Sequence, residues 1–79
     1  MTSPIGSNLR RLRFEHGEMT QDALARQVGI TRQTIVAIEG GRYAPSLELA
    51  MRLADVFDLR VDEVFYWIEK PVKAPEDRS

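Results

Sequence analysis

The chain has no cysteine, so neither a disulfide framework nor a thiolate metal site is open to it. It has a single histidine, His16. With no cysteine nucleophile and no His-Glu-x-x-His spacing, enzymes are the least supported class, and no cofactor, metal or small-molecule ligand is expected. No apolar run approaches the roughly 20 residues that cross a bilayer. The N-terminus also lacks the apolar core of a signal peptide, so the expected location is the cytoplasm, without membrane contact. An excess of positive charge is missing too, with a formal net charge of −1. That would speak against nucleic acid if the charge were even, but it is not. Residues 1–43 hold six arginines against four acids, whereas residues 44–79 hold five basic groups against eight acids. A basic half and an acidic half suit a protein that meets a polyanion with one side.

With 79 residues, 43% of them apolar, the chain is long enough for one small core. Its most informative stretch is 21–40. Leu24 and Val28 stand four apart on one helix face, with the small Ala25 beside them to admit a second helix closely. Gly29 follows, where helices commonly end in a left-handed residue. Ile30 plugs the turn, Thr31 is an N-cap, and Ile35 and Ile38 form the next buried stripe. Two short helices joined in this way make a helix-turn-helix, in which the second helix enters the DNA major groove.

Five helices are expected. The first covers about 6–16, with Ile5, Leu9 and Leu12 as its stripe and Gly17 at its end. Thr20 caps the second and Gln21 opens it; the third runs over about 32–39 and closes at Gly40-Gly41. Ser46, with Glu48 nearby, caps a fourth helix whose Leu49, Leu53, Val56 and Phe57 face the core. A turn at Asp58-Leu59-Arg60 leads to a short fifth helix at about 62–66. The domain therefore spans 5–68, and the proline-interrupted, polar segment 69–79 reads as a disordered tail.

The exposed start of the third helix carries base-reading chemistry. Arg32 offers a bidentate fork to guanine, and Gln33 offers the matching pair for adenine. Thr31 and Thr34 suit a base edge or a phosphate, and Ala37 could give a methyl contact. Gln21, at a helix N-terminus, is placed for a phosphate, as are Arg42 and Tyr43 in the loop that follows. Arg10 and Arg11 lie on the exposed side of the first helix, where plain solvation is at least as good a reading. His16, near a helix end, reads as a dipole partner rather than a ligand or base.

Taken together, Leu12-Arg13, Met19-Thr20-Gln21, Leu24-Ala25, the run from Gly29 to Ile35, Ile38-Glu39-Gly40, Pro45-Ser46-Leu47, Leu53-Ala54 and Val61-Asp62-Glu63-Val64-Phe65 resemble the XRE-type helix-turn-helix regulators, the group of the lambda repressor and Cro. The likeness covers roughly 7–68, and the segments around Arg32, Tyr43 and Val64 are closest to the stand-alone subgroup of the cytolysin-operon repressor. It implies an all-α, five-helix, lambda-repressor-like DNA-binding domain from a prokaryote or phage, with an optional short terminal strand pairing. It also implies a regulator, most simply a repressor, of double-stranded DNA. By the same resemblance Thr31, Arg32, Gln33 and Ala37 match base-facing positions, and Arg13 and Glu39 match an ion pair bridging the first and third helices.

A single recognition helix reads few base pairs, so a homodimer on a palindromic operator is expected. Residues 61–68 carry more apolar and aromatic surface than one short helix needs. Val64, Phe65, Trp67 and Ile68 are therefore the candidate dimer interface. The resemblance to the cytolysin-operon repressor implies that Phe65 to Ile68 could equally form an edge strand, which could pair with Thr2 to Ile5, limited by Pro4. The rival reading is an antitoxin of the same fold that holds a partner protein.

Overall fold

A computed structural model describes residues 2–70. The order of elements is β1 (Ile5–Ser7), α1 (Leu9–Glu15), α2 (Gln21–Val28), α3 (Arg32–Glu39), α4 (Leu47–Val56), α5 (Val61–Val64) and β2 (Phe65–Trp67). The tail expectation for 71–79 lies outside the described residues.

Local chemistry sets the three central helices. Thr20 Oγ1 accepts from Ala23 N–H at 2.9 Å, Thr31 Oγ1 from Thr34 N–H at 3.2 Å, and Ser46 Oγ from Leu49 N–H at 3.2 Å. Each cap satisfies one orphan donor and contributes about 1 kcal/mol. Between α2 and α3 the chain must reverse within three residues. Gly29 does this in the left-handed region, φ 77° and ψ 34°, with its N–H on Ala25 C=O. A side chain there would be strained, which is why the turn needs glycine.

Packing follows from the apolar stripes. Leu24, Ala25 and Val28 of α2 close on Ile35 and Ile38 of α3, and Leu9, Leu12, Leu53, Phe57 and Val64 complete a single core. Leu9, Leu24, Ile35 and Leu53 are fully buried, each stabilising by about 1.5–3 kcal/mol relative to exposure. Ala25, 1% exposed, lets the α2 and α3 backbones approach. This contact fixes the attitude of α3 against α2. His16 ends the first helix region: its Nδ1 lies 2.9 Å from Leu12 C=O, and its ring meets Phe57 edge-on at 4.9 Å.

Both ends of the chain depart from the sequence reading. The first helix begins at Leu9, not near residue 6, and Ile5 belongs to a strand rather than to the helical stripe. The fifth helix stops at Val64, and Phe65 is already extended at φ −115°, ψ 150°. Residues 5–7 and 65–67 pair antiparallel, with Ile5 opposite Trp67, Gly6 opposite Tyr66 and Ser7 opposite Phe65. The partner of β2 is thus displaced from the expected Thr2 to Ile5. Pro4 has no N–H to give a ladder, and instead its carbonyl accepts from Ile68 N–H at 2.7 Å, just beyond the strand. Gly6 makes the pairing possible, because the Tyr66 ring lies over it where a Cβ would sit 2.7 Å from Cε1. Asn8 N–H then donates to Val64 C=O at 2.8 Å, closing the N-terminus onto the last helix. Among the described residues no helix is long and apolar enough to cross a membrane.

Candidate nucleic-acid interface

Thr31, Arg32 and Gln33 are exposed at the start of α3, with Thr34 and Ala37 half-buried one turn along. The loop after α3 brings Tyr43 across to them, so that Thr31, Gln33, Thr34, Ala37 and Tyr43 line one shallow depression of about 310 Å³. Methyl and ring carbon form its apolar part, amide and hydroxyl groups its polar part. Thr31 is engaged locally as well. Besides capping, its Oγ1 lies 3.0 Å from Thr34 Oγ1, so one of the two hydroxyls donates to the other.

A second, larger cleft of about 540 Å³ lies beside the first, lined by Arg10, Arg13, Gln21, Arg32 and Glu39 among others. Beneath it runs a network joining three helices. Arg13 Nε donates to Glu39 Oε2 at 2.6 Å and Arg13 Nη2 to Glu39 Oε1 at 2.9 Å, while Arg13 Nη1 holds Met19 C=O at 2.8 Å. The side chains are 14% and 8% exposed, so this bidentate pair sits largely out of water. Gln21 Nε2 also donates to Glu39 Oε1, at 3.1 Å. One amide hydrogen is thereby spent inside the protein, and the second remains free for an acceptor such as a phosphate.

The charge distribution is more telling than the net charge. Of the eight arginines in the described residues, Arg11, Arg13, Arg26, Arg52 and Arg60 pair with Glu15, Glu39, Asp22, Glu48 and Asp62. Arg10, Arg32 and Arg42 stand outside these pairs; Arg10 and Arg32 line the larger cleft together with Gly40, and Arg42 Cζ lies 3.9 Å from where a Gly40 Cβ would sit. Elsewhere, the side-chain hydrogen bond from Arg60 holds the Asp62 carboxyl below its ordinary range.

Arg10, for which plain solvation was at least as good a reading, lines the same cleft as Arg32; its spacing of three from Arg13 puts both on one helix face. One feature escaped sequence reasoning. The Gln21–Glu39 bond had no such signal, because it spans 18 positions and depends on how α2 meets α3. At the candidate dimer surface a correction is needed. Val64 is fully buried in the monomer core and Phe65 packs partly against it, since β2 turns away from α5 right after Val64. Trp67 and Ile68 are exposed, at 50% and 60%, and Tyr66, not singled out from sequence, stands beside them at 48%.

Comparison with known proteins agrees with this geometry. A family model described as helix-turn-helix matches residues 9–64. An uncharacterized HTH-type transcriptional regulator of Archaeoglobus fulgidus is 46% identical over 59 residues, 75% of this chain and 83% of its own length. The uncharacterized HTH-type transcriptional regulator YgzD of Bacillus subtilis is 41% identical over 64 residues, 81% of this chain and 94% of its own. A solved protein from Bacteroides fragilis superposes with a TM-score of 0.67 over 78% of this chain and 98% of that one; at 18% identity this likeness speaks to the fold alone.

Proposed function

Since this chain belongs to the XRE-type helix-turn-helix family of DNA-binding transcriptional regulators, we propose that it is a repressor that binds a palindromic operator as a homodimer. In this reading α3 lies in the major groove. Arg32 and Gln33 read base edges, Thr31 and Ala37 add shorter contacts, and Gln21, Thr34, Arg42 and Tyr43 hold the flanking phosphates. The observation that carries it is the segregation of charge: among the described residues the arginines outside carboxylate pairs are Arg10 and Arg32, which line the cleft beside α3, and Arg42, in the loop that follows α3. A largely ion-paired remainder explains how a chain of net charge −1 still meets a polyanion. Dimerisation draws on the exposed Tyr66, Trp67 and Ile68 beside a two-stranded sheet whose edges are open. Cytoplasmic location follows from a genomic target.

Selection of bound sequences from random duplex DNA with the purified protein tests this. The expected product is an inverted repeat with half-site centres about 10 base pairs apart. Absence of any enriched sequence rejects specific binding, and an enriched single half-site rejects the dimer.

A further inference from the structure

The loop that carries Arg42 and Tyr43 is tied to a distant part of the chain. Ser3 N–H donates to Gly41 C=O at 2.6 Å, the one long-range backbone hydrogen bond to this loop among the described residues. That carbonyl belongs to the peptide unit linking Gly41 to Arg42. The other end of the same unit, Arg42 N–H, donates to Ala37 C=O at 2.9 Å. One peptide plane is therefore held on both sides, by the recognition helix through Arg42 N–H and by the N-terminal arm through Gly41 C=O. With both ends fixed, the Arg42 Cα is held in place relative to α3, and only φ and the side-chain torsions remain to be set.

The arm is itself anchored. Ser3 Oγ accepts from Ile5 N–H at 3.0 Å, and Pro4 C=O accepts from Ile68 N–H at 2.7 Å, which binds residues 3–5 to the end of β2. Ile68 completes the brace from the other side, with its Cδ1 at 3.8 Å from where a Gly41 Cβ would be. We infer that residues 2–4 and the end of β2 brace the Arg42–Tyr43 loop against the recognition helix, making the Ser3 N–H a positioning group for contact with DNA phosphates. This rests on the reading of Arg42 as a phosphate contact. Pre-ordering matters there because a flexible arginine loses rotamer and loop entropy on binding, and a fixed peptide plane removes part of that cost beforehand.

The test is a double-mutant cycle on operator affinity with Ser3→Pro, which removes the N–H, and Arg42→Ala. Because Ser3→Pro also removes the Oγ that accepts from Ile5 N–H, an amide-to-ester replacement at Ser3, which exchanges the N–H for an oxygen and keeps the side chain, is measured in parallel. Hydrogen exchange at Arg42 and Leu53 reports the loop and the core separately. Loss of one hydrogen bond of ordinary strength predicts roughly three- to tenfold weaker binding when Arg42 is present. In the Arg42→Ala background the loss is less than about twofold, and exchange quickens at Arg42 but not at Leu53. Equal loss in both backgrounds overturns the inference, as does unchanged affinity of the ester analogue while Arg42→Ala still weakens binding. If Arg42→Ala binds like the parent, the phosphate reading itself is wrong, and the brace fails with it.

Discussion

Glu39 is the residue on which most of the interface converges, since one carboxylate takes both Arg13 and Gln21. Its pairing with Arg13 is largely buried, so removing either partner leaves a desolvated charge without compensation. Glu39→Ala is expected to lower unfolding free energy by about 2–4 kcal/mol, with Arg13→Ala comparable. The double variant should lose clearly less than the sum, by at least about 1 kcal/mol. Denaturant unfolding of the four proteins measures this, and additive losses would mean that the pair contributes no coupling. At this scale the sequence was readable where a residue acts alone: Thr20, Thr31 and Ser46 cap helices because their hydroxyls sit at the right offset from a free N–H. It was silent on the bond from Gln21 to Glu39, because that partner lies on another helix.

Among the elements, α2, α3 and α4 were legible because each is bounded by a cap and carries a 3.6-residue stripe. The ends were not. Ile5 spaced four before Leu9 looks like a continuing helix, yet Pro4 and Gly6 weaken helical backbone and the strand gains a partner only in three dimensions. Val64 and Phe65 likewise continue a helical pattern on paper, but the chain extends there, which buries Val64 and leaves Tyr66 to Ile68 outside. The pairing depends on the bare Gly6. Gly6→Ala would place a Cβ 2.7 Å from the Tyr66 ring and 2.9 Å from Ile68 Cγ1, so the ring must swing off the sheet. A stability loss of about 1 kcal/mol is expected. In the NMR spectrum of the parent, Gly6 Hα should show a ring-current shift that disappears when Tyr66 is replaced by Leu. A Gly6→Ala protein of unchanged stability would show that the ring is not held there.

For the whole molecule, the proposed division of labour is between the side of α3, where Arg10, Arg32 and Arg42 stand outside the ion pairs of the described residues, and a small sheet that leaves Trp67 and its neighbours in water. Sedimentation at micromolar concentration is expected to find a dimer, and Trp67→Ala should shift it toward monomer while the helical signal is retained. A parent protein that stays monomeric, with Trp67→Ala altering only stability, would place the aromatic surface outside any self-association. The central claim, however, is that α3 reads base sequence and does more than attract phosphate. Its most direct test is the affinity of the parent and of Arg32→Ala for the selected operator and for a scrambled duplex of equal length, at one fixed salt concentration. The account predicts a loss of about 1–3 kcal/mol on the operator, roughly five- to 150-fold, with little change on the scrambled duplex. An equal loss on both would contradict it, because Arg32 would then be contributing charge without reading a base.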